Sequence, residues 1–170
     1  MFLLPVASIF AKVTVCLMAP ARSFQPNTLD KSISFAIVAS EFNRDYTDAL
    51  LSSAQKALSG YGQKVVRVPG AYEIPLQVQG LARTGRYVAV IALGVIWQGR
   101  TLHAQEILRA VTDALMRISL ATNVPVIHEV LAVRTEAEAR ARCMGRKLNR
   151  GREAAEAALK IARVHYLEKK

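Results

Sequence analysis

The sequence predicts an α/β protein: a three-layer α/β/α sandwich on a four-stranded parallel sheet. Two observations carry this expectation. Short apolar runs with almost no polar residue alternate with longer segments whose apolar positions recur at helical spacing. That is the pattern of strands buried on both faces, each followed by a crossover helix. Glycine, proline and asparagine fall at the joins, where the chain has to turn.

The first strand is Ser34 to Ser40, closed by the turn Glu41-Phe42-Asn43. A helix from Arg44 to Leu58 follows and stops at Gly60. Lys64 to Val68 is the second strand, ending in Pro69-Gly70-Ala71-Tyr72-Glu73. Ile74 to Ala82 reads as a helix, because Pro75 is tolerated in a first turn and Gly85 lies beyond the end. Tyr87 to Gly94 is the third strand, and apolar residues at Leu102, Ile107, Val111, Leu115 and Ile118 mark the helix after it. Pro125 to Val133 is the fourth strand, followed by a helix from about Thr135 to Cys143. Gly151 precedes an alanine-rich last helix, Glu153 to about Val164.

Residues 1–30 fall outside this pattern, so residues 31–170 are expected to form a single domain. Met1 to Ala19 is apolar with one charge, Lys12, but has no basic stretch ahead of its apolar core, as a secretory signal would. Met18 begins a more ordinary start, which points to a start assigned too far upstream. Ala19 to Asp30, with Pro20, Pro26 and Asn27, reads as a flexible arm.

Apolar residues make up 52% of the 170. No stretch beyond residue 20 reaches the roughly 20 apolar residues of a membrane-spanning helix, so the surplus implies surface buried by self-association. Lys and Arg number 23 against 13 Asp and Glu, a net charge of +10. That balance suits nucleic acid, a membrane surface or phosphorylated small molecules. Basic runs interleaved with aromatics, zinc-finger patterns and RNA-recognition patterns are all absent, which argues against nucleic acid. The cluster around Arg142, Arg146, Lys147 and Arg150 reads by itself as a solvated helix face. Cys16 and Cys143 lie far apart, and His103, His128 and His165 are scattered. Neither a disulfide framework nor a metal site is therefore expected, and the chain reads as cytoplasmic.

Chemistry concentrates at the strand ends. Phe42-Asn43 follows the first strand, Ala71-Tyr72-Glu73 the second, and Gly99-Arg-Thr-Leu-His103 the third. In the last, a glycine lets the backbone approach a ligand and the helix start leaves amide N–H groups unpaired. Such a helix start favours an anion, with an imidazole close by. Taken singly, each stretch has a plainer reading. Phe42 suits a core plug, Glu73 a carboxylate facing a helix dipole, His128 a strand residue satisfied by a neighbour, and His103 a helix-start residue. Their recurrence along one edge of one sheet favours a site.

Together these stretches resemble the lumazine synthase family. The resemblance covers about Ser34 to Val164. It rests on Phe42-Asn43, Val68-Pro-Gly-Ala-Tyr-Glu-Ile-Pro75, Ala92-Leu-Gly94 with Gly99-x-Thr-x-His103, Pro125-Val126 and Asn149-Arg-Gly-x-Glu-Ala-Ala155. It implies a flavodoxin-like strand order 2-1-3-4, no metal or organic cofactor, and assembly into pentamers or multiples of pentamers. It also implies a reaction. A ribitylamino-pyrimidinedione condenses with dihydroxybutanone phosphate, phosphate and water leave, and 6,7-dimethyl-8-ribityllumazine, the precursor of riboflavin, results.

Carried over by position, the resemblance assigns roles. Phe42 would stack on the pyrimidine ring, and Asn43 with backbone groups at Val95, Ile96 and Trp97 would bond its edge. Glu73 would accept hydrogen bonds from ribityl hydroxyls, assisted by amides at Ala71 and Tyr72. Arg100 and Thr101 would seat the phosphate at the helix start, and His103 would move protons. A neighbouring subunit would supply His128, Arg142 and Arg150. The chain departs from the family pattern at Ala104-Gln105, where an aromatic and an acid are common, at His128 for phenylalanine, and at Arg150 for lysine. Trp97-Gln98 also stands for an aliphatic–arginine pair, and Arg100 for a small or acidic residue. Three classes follow: the synthase, a diverged member that binds flavin or lumazine without useful turnover, and a basic nucleic-acid-binding protein motivated only by charge.

Overall fold

The computed structural model describes residues 29–167 and alternates strands with helices. The elements are β1 (Ser34–Ser40), α1 (Arg44–Ala57), β2 (Gly62–Val68), a 3-10 turn at Ala71–Glu73, and α2 (Ile74–Arg83). They continue as β3 (Val90–Trp97), α3 (His103–Thr122), β4 (Val126–Val133), α4 (Glu136–Cys143) and α5 (Arg150–Leu167). All pairings are parallel and the strand order is β2-β1-β3-β4. The α/β class, the four parallel strands and their order are those predicted.

The two central strands decide where the core lies. Alternate residues point to opposite faces of a strand. Phe35, Ile37 and Ala39 of β1, with Ile91, Leu93 and Val95 of β3, pack under α1, α4 and α5. Ala36 and Val38, with Val90 and Ala92, pack under α2 and α3. All ten are buried. Burying each large aliphatic or aromatic among them contributes about 1.5–3 kcal/mol, so neither strand could face water. Leu29 also packs into the first of these clusters, so the packed domain reaches back beyond residue 31. The expected arm before it lies outside the described residues.

Three boundaries differ from expectation. β3 starts three residues later than expected and runs on to Trp97, because β4 pairs with it through Val95↔Leu131, Ile96↔Ala132 and Trp97↔Val133. β2 starts at Gly62 by pairing with Ser34. α5 starts at Arg150, not after Gly151. Asn149 caps it: its Oδ1 accepts from the Arg152 N–H at 3.0 Å, and its Nδ2 donates to the Cys143 carbonyl at 3.2 Å. Gly151 instead lies where α5 crosses α1, and a Cβ there would sit 2.1 Å from the Leu50 carbonyl oxygen.

Candidate functional site

The chain leaves β1 toward β2 on one side and leaves β3 toward β4 on the other. Between β1 and β3 the sheet therefore has a topological switch point, and open parallel sheets bind ligands in the crevice outside the carboxyl ends of such strands. The crevice is deepened here. β3 pairs with β1 only as far as Leu93 and then continues for four residues beside β4 alone.

Phe42 stands at the mouth, 70% exposed. Its ring and the Glu73 carboxylate converge over Gly70. A Cβ built at Gly70 would lie 2.9 Å from Glu73 Oε2 and 3.1 Å from the Phe42 ring. Glycine is thus the residue that lets an aromatic face and a carboxylate share one surface. Ala71 is buried in the 3-10 turn, while Tyr72 is exposed beside it.

Asn43 takes a left-handed conformation, φ 58° and ψ 46°, before α1. Asparagine adopts this region more readily than most residues. Its Nδ2 donates to the Val95 carbonyl at 2.7 Å. That bond uses one N–H of the Asn43 amide and one lone pair of the Val95 carbonyl, two groups expected to address a ligand; the second N–H, Oδ1 and the other lone pair are not engaged by it. Val95 is buried. Backbone groups two residues apart on a strand point the same way, so those of Trp97 face the gap beyond β1. The Trp97 indole is partly exposed. It packs edge-on against Tyr46, centroids 5.8 Å apart. Ile96 sends its side chain to the α2–α3 face.

Across the crevice, α3 begins without a side-chain cap. The Glu106 N–H reaches the Leu102 carbonyl at 3.0 Å, so the amides of His103, Ala104 and Gln105 have no helical acceptor. With the positive end of a 20-residue helix, they make a seat for an anion. Arg100, Thr101 and His103 are all exposed around it, and His103 makes no hydrogen bond among the described residues. Gly99 is not demanded by local packing, since an added Cβ would meet nothing within 4 Å.

Three predicted residues are not brought to this crevice within one chain. His128 lies mid-strand on β4, opposite Ala92. Its Nε2 is 2.8 Å from Thr112 Oγ1, and its Nδ1 accepts from the Val130 N–H at 3.3 Å. The Thr112 hydroxyl already donates to the Leu108 carbonyl at 2.7 Å, so it must accept the Nε2–H. Burial lowers the His128 pKa from its usual 6.5, opposed by a backbone hydrogen bond. Arg142 and Arg150 lie on α4 and α5, across the sheet from α3. Arg142 pairs with Glu138 at 3.1 Å and Arg150 with Glu153 at 2.9 Å.

Two residues were missed. Gly70 was read only as part of a motif, although glycine between strand and helix is a signal for close approach. Glu129, on the opposite face of β4 from His128, was not singled out, although a carboxylate inside an apolar strand is unusual.

An open parallel sheet with an aromatic face, a carboxylate and an uncapped helix start around its switch point has the architecture of an α/β ligand-binding protein. A family model described as 6,7-dimethyl-8-ribityllumazine synthase matches residues 32–165. Proteins of that name from Xanthomonas campestris pv. campestris (strain B100) and Salinibacter ruber are each 42% identical. The first match spans 75% of this chain and 86% of the relative, the second 75% and 85%. One from Stenotrophomonas maltophilia is 39% identical over 77% of this chain and 88% of its own length. The chain belongs to the 6,7-dimethyl-8-ribityllumazine synthase family, transferases of riboflavin biosynthesis.

Proposed function

We propose that the crevice condenses 5-amino-6-ribitylamino-pyrimidinedione with 3,4-dihydroxy-2-butanone 4-phosphate, releasing phosphate and water. The observation that carries this reading is the convergence of Phe42 and Glu73 over Gly70. A flat aromatic face binds a heteroaromatic ring, and an ionised carboxylate accepts hydrogen bonds from a polyol chain. Asn43 Oδ1 and the Trp97 backbone address the ring edge. The α3 start, with Thr101 and Arg100, holds the phosphate, and His103 moves protons as the imine forms and phosphate departs.

The site is completed by a second copy of the chain. Arg142 and Arg150, on the far side of the sheet, reach a neighbour's phosphate seat, and His128 faces a neighbour's pyrimidine. Pentamers or their multiples are the assembly proposed. Leu76 on α2 with Leu102, Met116 and Leu120 around α3 are each more than 60% exposed, which supports a covered face. No helix among the described residues is long and apolar enough to cross a membrane; a cytoplasmic enzyme without metal or organic cofactor is the reading we adopt.

Mixing the protein with both substrates and following lumazine fluorescence tests the activity. A rate no faster than the uncatalysed condensation, with lumazine still bound, would favour the alternative of a diverged binder. The departures at Ala104, Gln105 and His128 motivate that alternative, and among the described residues His103 has no hydrogen-bond partner to orient it.

A further inference from the structure

Both ring nitrogens of His128 are engaged within the chain, and the partners fix which of them carries the proton. The Val130 N–H donates to Nδ1 at 3.3 Å, so Nδ1 is bare and the proton sits on Nε2. The Thr112 hydroxyl lies 2.8 Å from Nε2 and gives its own proton to the Leu108 carbonyl at 2.7 Å, which leaves it an acceptor. Three hydrogen bonds therefore run in one direction, from the Val130 amide through the imidazole and Thr112 to the Leu108 carbonyl. An imidazolium would set a second N–H against the Val130 amide. Burial also favours the neutral ring. The half-buried imidazole is set in a hollow of about 320 Å³ between β4 and α3, with Leu108, Met116, Val126 and Val130 among its other walls. A neutral imidazole has one donor and one acceptor in its plane, and here both are used. What remains to face outward is a flat ring with C–H edges, the surface a phenylalanine would present.

We propose that Thr112 is a positioning residue for the pyrimidine pocket, holding His128 as a neutral, flat wall against the heteroaromatic ring bound by the adjoining copy of the chain. This rests on the reading that His128 faces a neighbour's pyrimidine. Thr112 acts through the imidazole. Without the hydroxyl the Nε2–H loses its acceptor, and the ring can satisfy it only by turning a polar edge toward the ligand or by changing tautomer. Either change spoils the apolar face on which a heteroaromatic ring stacks. Histidine where the family commonly has phenylalanine is then a substitution that keeps the shape and character of the wall, and the α3 hydroxyl is what makes it so.

Binding of 6,7-dimethyl-8-ribityllumazine to the full-length assembled protein, followed by fluorescence titration, tests this without requiring turnover. Thr112→Val should weaken binding about threefold to tenfold, the effect of one hydrogen bond between neutral groups. Thr112→Ser, which keeps the hydroxyl, should restore most of the affinity. In a His128→Phe background, whose ring needs no acceptor, Thr112→Val should cost less than about twofold, because the two positions are coupled. Inorganic phosphate should bind the Thr112→Val protein as it binds the parent. Parental lumazine affinity in Thr112→Val, an equal loss in the His128→Phe background, or a matching loss for phosphate overturns the proposal. Thr112→Ala, which also lacks the hydroxyl, serves the same comparisons should the valine variant fail to assemble. Lumazine affinity unchanged in His128→Ala would instead sink the reading that His128 faces a neighbour's ligand at all.

Discussion

The side-chain amide of Asn43 donates a 2.7 Å hydrogen bond to the Val95 carbonyl, joining the turn after β1 to the free end of β3 across 52 positions of sequence. This bond holds Phe42 at the crevice mouth while the Asn43 backbone sits at φ 58°. Asn43→Ala loses the bond, leaves a buried carbonyl unpaired and places a poorly suited residue in the left-handed region. About 2–4 kcal/mol of stability should disappear. Asn43→Gly relieves the backbone alone and should recover roughly 1 kcal/mol of it. Urea denaturation of the two variants checks this; equal losses would show that backbone conformation contributes nothing.

Gly70→Ala should disturb binding more than folding. The new methyl falls within 3.1 Å of both the Phe42 ring and the Glu73 carboxylate, so both must move apart. The Michaelis constant for the pyrimidine should rise tenfold or more, with that for the butanone phosphate nearly unchanged. Overpacking of this kind costs about 1–3 kcal/mol. Unchanged pyrimidine kinetics would show that Phe42 and Glu73 do not act as one surface.

His103→Ala should lower turnover and leave pyrimidine affinity intact. General acid–base groups contribute about 10²–10⁴-fold. The expected loss lies at or below the low end, because the amine is already a good nucleophile and phosphate a good leaving group. Rates identical to the parent at every pH would make His103 an exposed helix-start residue and nothing more.

Arg142→Ala should raise the Michaelis constant for the butanone phosphate about tenfold or more, from loss of roughly 1.5–3 kcal/mol of charged hydrogen bonding. Arg142→Lys should recover part of this, since an ammonium lacks the planar fork. Oligomers mixed from Arg142→Ala and His103→Ala chains should regain activity, because each lesion falls on a different side of a shared site. Mixed oligomers no better than the average of their parents would mean that the two residues never meet.

Stability should also report on Glu129. Its folded pKa, about 7, lies above the value of 4.5 for a free carboxyl. The folded state therefore binds the proton more tightly, and the contribution is fully present below pH 4.5 and lost as pH rises through 7. Glu129→Gln should accordingly gain on the parent chain by about 1–3 kcal/mol between pH 5 and 8. Parallel stability curves for the two proteins would show that Glu129 titrates normally.

Much of this molecule was legible without coordinates. The apolar runs at Ser34 to Ser40 and Tyr87 to Gly94 predict their strands, because a strand buried on both faces leaves little room for polar residues. Gly60 and Gly85 mark the ends of α1 and α2, and both adopt positive φ, 97° and 66°. Phe42, Glu73 and His103 were legible as candidates, since polar and aromatic residues immediately after buried strands have few structural uses.

What local pattern determined was which segments bury an apolar face and where each must stop. Only the tertiary structure decided the rest. β3 reaches Trp97 because β4 lies beside it, and nonlocal hydrogen bonds leave no mark on the residues they extend. Asn43 gives its amide to Val95 because the switch point brings the ends of β1 and β3 together. Glu129 shares a face of the sheet with Arg142 and Arg150 because α4 and α5 pack on that side of β4, while His128, one residue earlier, faces Thr112 on the other. Periodicity shows that neighbouring strand residues face opposite ways. Which helix covers each face depends on how the chain crosses over the sheet.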